Sequence, residues 1–208
     1  MTEYLIPAAP GESEYDEKRS RFLGHVRCVE SEDEARDFIA EMKKKYNDAR
    51  HNCWCYVIRG GAERYSDDGE PQGTAGIPML EVLRREGVTN AVCVVTRYFG
   101  GVLLGAGGLL RAYTKCAKDA LDAAGISVVR RWVETELRCG YAAAERLRPE
   151  AAACGGIVTG TDYGADVTLH ILVPEENAEH FSAHIYDVSN GTVKVKSTGE
   201  SFRAVRLR

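Results

Sequence analysis

Residues 91–95 read Ala-Val-Cys-Val-Val, an apolar run that makes sense as a strand taken out of water. This strand, read over Asn90 to Thr96, needs a core around it, so the chain must be globular. Polar, glycine-dense segments stand close to it. Ser66-Asp-Asp-Gly-Glu-Pro-Gln-Gly-Thr-Ala-Gly76 precedes it, Thr96-Arg-Tyr-Phe-Gly-Gly101 ends it, and Gly105-Ala-Gly-Gly-Leu-Leu-Arg-Ala-Tyr113 follows. Loops of this kind let backbone come close to a ligand while charged side chains are held among the glycines. The working part of the molecule is therefore expected between His51 and Tyr113.

The remaining elements follow from periodicity. Ser31 and Glu34 form a capping box, and Ala35, Phe38, Ile39, Met42 and Tyr46 continue at helical spacing. A strand over Arg21–Val29 precedes that helix, and Asn52–Ile58 reads as another strand. Thr74–Glu86 reads as helical, with Pro78 tolerated in its first turn. Gly107–Ala124 is a clear helix stopped by Gly125. After Arg130 the order resets. Strand Trp132–Cys139 leads to a helix over Tyr141–Cys154 that Pro149 is expected to interrupt. A hairpin turns at Gly164, a helix runs from Pro174 to Val188, and a strand covers Thr192–Ser197. That βαββαβ order is the ferredoxin-like split βαβ arrangement. The expectation is an α+β protein with one domain over residues 1–130 and a second over 131–208.

Composition narrows the function classes. The chain has 208 residues, 28% of them charged, and a net charge of −4, with no basic tail. A nucleic-acid partner would have to meet a local groove, since the global field is not attractive to it. Seven cysteines without a C-x-x-C pair, and the lack of an apolar leader or span, are read as a reduced cytoplasmic protein with no membrane role.

Several constellations compete for the chemistry. Asp67, Asp68 and Glu70 suit a Mg²⁺ ion or a general base, although the same residues make good turns. His51 and Cys53 share a strand face and form a nucleophile–base candidate, against which stands the habit of cysteines to fill cores. Gly100, Gly101, Gly105 and Gly107 lie between a buried strand and a helix, where amides favour an anion. The P-loop and G-x-G-x-x-G patterns both fail there. Glycines that simply let strand and helix pack closely remain an open alternative. Arg97 and Arg111 flank that stretch as phosphate contacts, Tyr98 as a stacking group.

Taken together, Lys18-Arg-Ser-Arg-Phe-Leu-Gly24, His51-Asn-Cys-Trp54, Arg64-Tyr-Ser-Asp-Asp-Gly-Glu-Pro71, Gly73-Thr-Ala-Gly76, Thr96–Gly101 and Gly105–Tyr113 resemble the IMPACT/YigZ family. The chain departs from it at Leu103, where the family tends to have Lys, and at Cys55, where Ala or a similar residue is usual. The resemblance implies an N-terminal domain like the second domain of ribosomal protein S5. It also implies a ferredoxin-like C-terminal domain like the last domain of elongation factor G. It brings a proposed nucleic-acid or ribosome role linked to translation and stress, with no agreed catalytic activity. The expectation is thus a non-enzymatic RNA- or ribosome-binding protein without a cofactor. Arg21, Arg97 and Arg111 would meet phosphates, Tyr98 would orient them, and the four glycines would admit the backbone. Asp67, Asp68 and Glu70 would orient arginines or hold Mg²⁺. A metal-dependent hydrolase or transferase, and a protein-interaction module, are the alternatives. The sequence leaves the oligomeric state open.

Overall fold

A computed structural model describes residues 3–207; the outermost positions of the two expected domains, 1, 2 and 208, lie outside the described residues. The chain divides into two compact units. One comprises Tyr4–Val129 with residues 204–207, the other Arg130–Arg203 with residue 3.

The first unit is built on an antiparallel sheet. Its strands are β2 (Gly11–Glu17), β3 (Ser20–Cys28), β4 (His51–Val57), β5 (Glu63–Ser66) and β6 (Ala91–Tyr98), in the order β2-β3-β6-β4-β5. The apolar run is thus the central strand. Its alternation explains the layers. Val92 and Val94 join Phe38, Ile39 and Met42 of α1 (Glu32–Lys45) in one core, while Cys93 and Val95 join a second core on the opposite face. That second core is covered by α2 (Gly76–Arg85) and α3 (Ala106–Ala124), which contribute Met79, Leu83, Leu109, Tyr113 and Leu121. A strand buried on both faces carries no polar residue until it reaches Thr96, as observed.

The α1 capping box forms. Ser31 Oγ accepts from the Glu34 amide at 3.2 Å, and the Glu34 carboxylate accepts from the Glu30 amide at 2.8 Å. A short strand, β1 (Tyr4–Pro7), pairs antiparallel with Ile126–Val129, the first four residues of β7 (Ile126–Cys139).

In the second unit β7 is followed by α4 (Tyr141–Ala153), β8 (Ile157–Tyr163), β9 (Val167–Pro174), α5 (Ala178–Val188) and β10 (Val195–Arg206). The sheet order β10-β7-β9-β8 is the fourth-first-third-second arrangement of a ferredoxin-like domain. Leu147, Phe181 and Ile185 from the helices meet Leu137, Leu169 and Ile171 from the sheet. Two local expectations are corrected. Pro149 sits inside α4 without interrupting it, and the last strand begins at Val195 and runs to Arg206, not over Thr192–Ser197. Val193, just before it, is buried in the core of this unit.

Candidate functional site

The alternation that layers β6 also decides what Arg97 does. Arg97 shares the face of Cys93 and Val95, and its cross-strand neighbours are Phe22 on β3 and His51 on β4. It therefore points beneath α3 and is only 5% exposed. Its Nη1 donates to Glu70 Oε1 at 2.7 Å and its Nη2 to Ser20 Oγ at 3.3 Å. The guanidinium lies 5.5 Å from the Phe22 ring centre and 5.4 Å from that of Phe99. Glu70, equally buried, also accepts from the Tyr113 hydroxyl at 2.8 Å. Of the three Arg97 nitrogens, Nε has no partner. A buried charge survives only when it is paired and hydrogen-bonded, and Glu70 fills that role. The expectation that Arg97 meets a phosphate is corrected: its charge is already neutralised inside the fold.

The three carboxylates do not converge. Asp67 accepts from the amides of Gly73, Ala75 and Gly76 at 2.8–3.0 Å and so caps the entry to α2, whose own N-cap Ala75 has no side chain to offer. Asp68 pairs with Lys43 at 2.7 Å and accepts from the Asn52 amide at 2.7 Å. Glu70 serves Arg97. Among the described residues no group of three His, Cys, Asp or Glu could hold a metal ion. The oxygens of this set are directed at separate partners on the protein and so do not make a shared Mg²⁺ site.

His51 and Cys53 are also separated in role. The Cys53 thiol is within 3.0 Å of the Asp67 carbonyl and 3.4 Å of the Tyr113 hydroxyl. Burial pushes its pKa far above the usual thiol value, so it stays protonated and is no nucleophile. His51 Nδ1 lies 2.8 Å from the Asp68 carbonyl oxygen. A carbonyl can only accept, so Nδ1 carries the proton in this contact.

Arg21 and Tyr98 are cross-strand neighbours on the other face of the sheet, away from Arg97. Arg21 binds Glu14 with two hydrogen bonds, at 2.6 and 2.9 Å, and Tyr98 donates to Asp48 at 2.8 Å. The hollow they line is the larger one, about 660 Å³, but it holds Glu12, Glu14 and Asp48 against a single arginine. That balance repels anions. Arg21 and Tyr98 therefore share no patch with Arg97.

The glycines differ among themselves. A Cβ at Gly100 would lie 2.0 Å from the backbone of Arg19, and the Gly100 amide donates to Ser20 Oγ at 3.2 Å. Gly100 thus serves an approach within the chain. Gly101 and Gly105 have φ of +83° and +72° with open space around them. Gly105 is the N-cap of the 19-residue α3 and provides no side-chain cap. The amides of Ala106, Gly107 and Gly108 therefore have neither an intrahelical partner nor a capping side chain, and the positive end of the helix dipole faces outward. The position a Gly107 Cβ would take lies 3.7 Å from Arg111 Nη1, so the exposed Arg111 folds back over that first turn.

On the other side of the turn opens a cleft of about 340 Å³. Arg50, His51, Glu70, Arg97, Phe99, Leu103 and Leu104 wall it, together with Gly105 and Ala106. Arg50, exposed at the edge of β4, was not singled out from the sequence because nothing in its neighbours marks it. Lys18 and Arg19, also missed as individual candidates, form the turn between β2 and β3. Both adopt positive φ, 46° and 67°, which is strained for non-glycine residues.

Comparisons with known proteins match the same organisation. Residues 18–121 fit the model of the Impact N-terminal domain, and residues 137–192 that of the domain of unknown function DUF1949. The chain is 34% identical over 204 residues to the IMPACT family member YigZ of Escherichia coli (strain K12), covering 96% of this chain and all of that one. It is 35% identical over 195 residues to the IMPACT family member YvyE of Bacillus subtilis (strain 168), covering 93% and 90% of the two. Protein IMPACT of Mus musculus is 32% identical over 127 residues, which is 58% of this chain and 39% of its own length. A solved structure described as that of an hypothetical protein is 34% identical, with a TM-score of 0.60 over 96% of this chain and 98% of that one.

Proposed function

Because the chain belongs to the IMPACT family, we propose that it is a non-enzymatic regulatory protein of translation that binds RNA, on the ribosome, through its N-terminal domain. One observation carries this reading: the first turn of α3 is uncapped, with Arg111 folded over it and Arg50 across the adjoining cleft. Free amides at a helix start, with arginine beside them, are suited to a phosphate. The exposed Lys18 and Arg19 add positive charge on a rigid hairpin turn whose backbone abuts Gly100. The contacts are local, which is how a chain of net charge −4 would still hold a polyanion. Arg97 supports the site from below by fixing Phe99 and Glu70, and Arg21 stays out of it.

Of the candidate catalytic groups, the thiol and the three carboxylates are engaged within the protein. Cys53 is locked as a thiol, and Asp67, Asp68 and Glu70 are held by the protein itself. Binding without turnover is the reading that agrees with this.

The test is binding of single-stranded RNA, and co-sedimentation with ribosomal particles, over a range of salt. Arg50→Ala/Arg111→Ala should weaken RNA binding and lower the slope of log K against log salt by about 1–2, as loss of one or two phosphate contacts requires. An unchanged slope and affinity in that variant, or no association by the wild type at low salt, would refute the proposal.

A further inference from the structure

The cleft beside α3 has more in it than an anion contact needs. Phe99 is 41% exposed, and the Arg97 guanidinium lies 5.4 Å from its ring centre. That guanidinium holds the ring in place while part of it stays open. Leu103, 82% exposed, and the half-buried Leu104 continue the apolar wall toward Gly105. Arg97 and Glu70 line the cleft and are held with Tyr113 in a buried network in which Arg97 Nε, in a residue 5% exposed, has no partner. That donor is a polar group which the fold beneath the cleft leaves unsatisfied. The volume, about 340 Å³, lies at the small end of small-molecule clefts, which run from roughly 300 to 1,000 Å³. It suits one nucleotide better than a run of strand.

We infer that this cleft takes a single nucleotide unit of RNA, its phosphate at the start of α3 beside Arg50 and its base against Phe99 and Leu103. A free nucleoside monophosphate has the same chemistry and should enter alone. Stacking a base on an aromatic ring does not depend on which base it is, so the cleft should accept purines and pyrimidines alike. This inference rests on the RNA-binding reading and narrows it.

The experiment titrates the full chain with AMP, UMP, adenosine and inorganic phosphate, following backbone amide resonances by NMR. AMP and UMP should both shift Ala106, Gly107 and Gly108, and should bind more tightly than phosphate or adenosine. Phe99→Ala should weaken nucleotide binding by about tenfold and leave phosphate binding within twofold, because it removes the stack and not the anion contact. Arg50→Ala should weaken both. AMP should compete with single-stranded RNA. Circular dichroism of each variant checks that it folds, and the half-exposed Phe99 makes that outcome expected.

Nucleotides that bind no better than phosphate, or a Phe99→Ala variant with unaltered nucleotide affinity, would overturn the inference. The RNA reading would survive either result if RNA binding kept its Arg50/Arg111-dependent salt slope. If no probe moves the α3 amides, the nucleotide cleft is wrong. If RNA also fails to bind, the proposed function is wrong with it.

Discussion

Glu70→Gln isolates the electrostatics at the centre of the N-terminal unit. The glutamine keeps the length of the side chain and an oxygen that Arg97 and Tyr113 can still reach, so only the charge is removed. Arg97 then remains 95% buried with no counter-charge. Removing one partner of a buried pair costs about 3–5 kcal/mol, and the retained acceptor places this variant at about 3 kcal/mol. With a urea m-value of about 1.5 kcal/mol/M for a unit of this size, the midpoint should fall by about 2 M. Trp54, on β4, reports the unfolding of this unit by fluorescence in a Trp132→Phe background, because Trp132 belongs to the other unit. Replacing both members, as in Arg97→Met/Glu70→Leu, should restore stability to within about 1–2 kcal/mol of wild type, since an apolar pair no longer has to be desolvated as ions. A Glu70→Gln midpoint that falls by less than about 0.5 M at constant m would refute the reasoning. It would mean that Arg97 reaches solvent or an outside anion, and its role as a phosphate contact would have to be reinstated.

Three further outcomes are expected. Asp67→Ala should destabilise by about 2 kcal/mol in urea unfolding, because three amides at the start of α2 lose a charged acceptor, and added Mg²⁺ should not change the wild-type midpoint. Gly100→Ala should cost about 2–3 kcal/mol by thermal unfolding as its Cβ meets the Arg19 backbone, while Gly107→Ala should be neutral or gain up to about 1 kcal/mol. Burial raises the thiol pKa values of Cys53 and Cys116, the latter pushed up to about 12, and a hydrogen bond with Cys55 together with burial raises that of Cys93, all above that of the unfolded chain. Their contribution to stability is therefore complete below the unfolded thiol value and is lost as pH rises above it. The unfolding free energy from urea titration should accordingly be flat to about pH 8 and fall at up to about 1.4 kcal/mol per pH unit per thiol above pH 9, with a shallower fall in Cys116→Ala.

The layered core was legible because β6 and α3 carry unmistakable patterns, and the βαββαβ order of the second unit followed from its strand and helix succession. The strands β2 and β5 were not seen. Gly-Glu-Ser-Glu-Tyr-Asp-Glu in β2 has too few apolar residues to alternate, and such strands form at sheet edges where the neighbour supplies the partner bonds. Helix α4 passes through Pro149 because tertiary burial of Ala144, Leu147 and Ala151 outweighs the missing amide bond. For the site, the inward direction of Arg97 was available from parity with Cys93 and Val95, had alternation been carried two residues past the apolar run. Its partner was not available. Glu70 lies in a turn 27 residues earlier, and only the folded chain brings the two together.

Helix α3 begins at the surface and within one turn is embedded, for Leu109, Ala112 and Tyr113 are all in the second core. Whatever docks on its exposed start is thereby tied to the cooperative melting of the whole unit. An occupant held at 100 times its dissociation constant would raise the unfolding free energy by about 2.7 kcal/mol. A library of phosphorylated compounds can thus be ranked by the temperature at which the protein melts, with neither a label nor an assumed ligand.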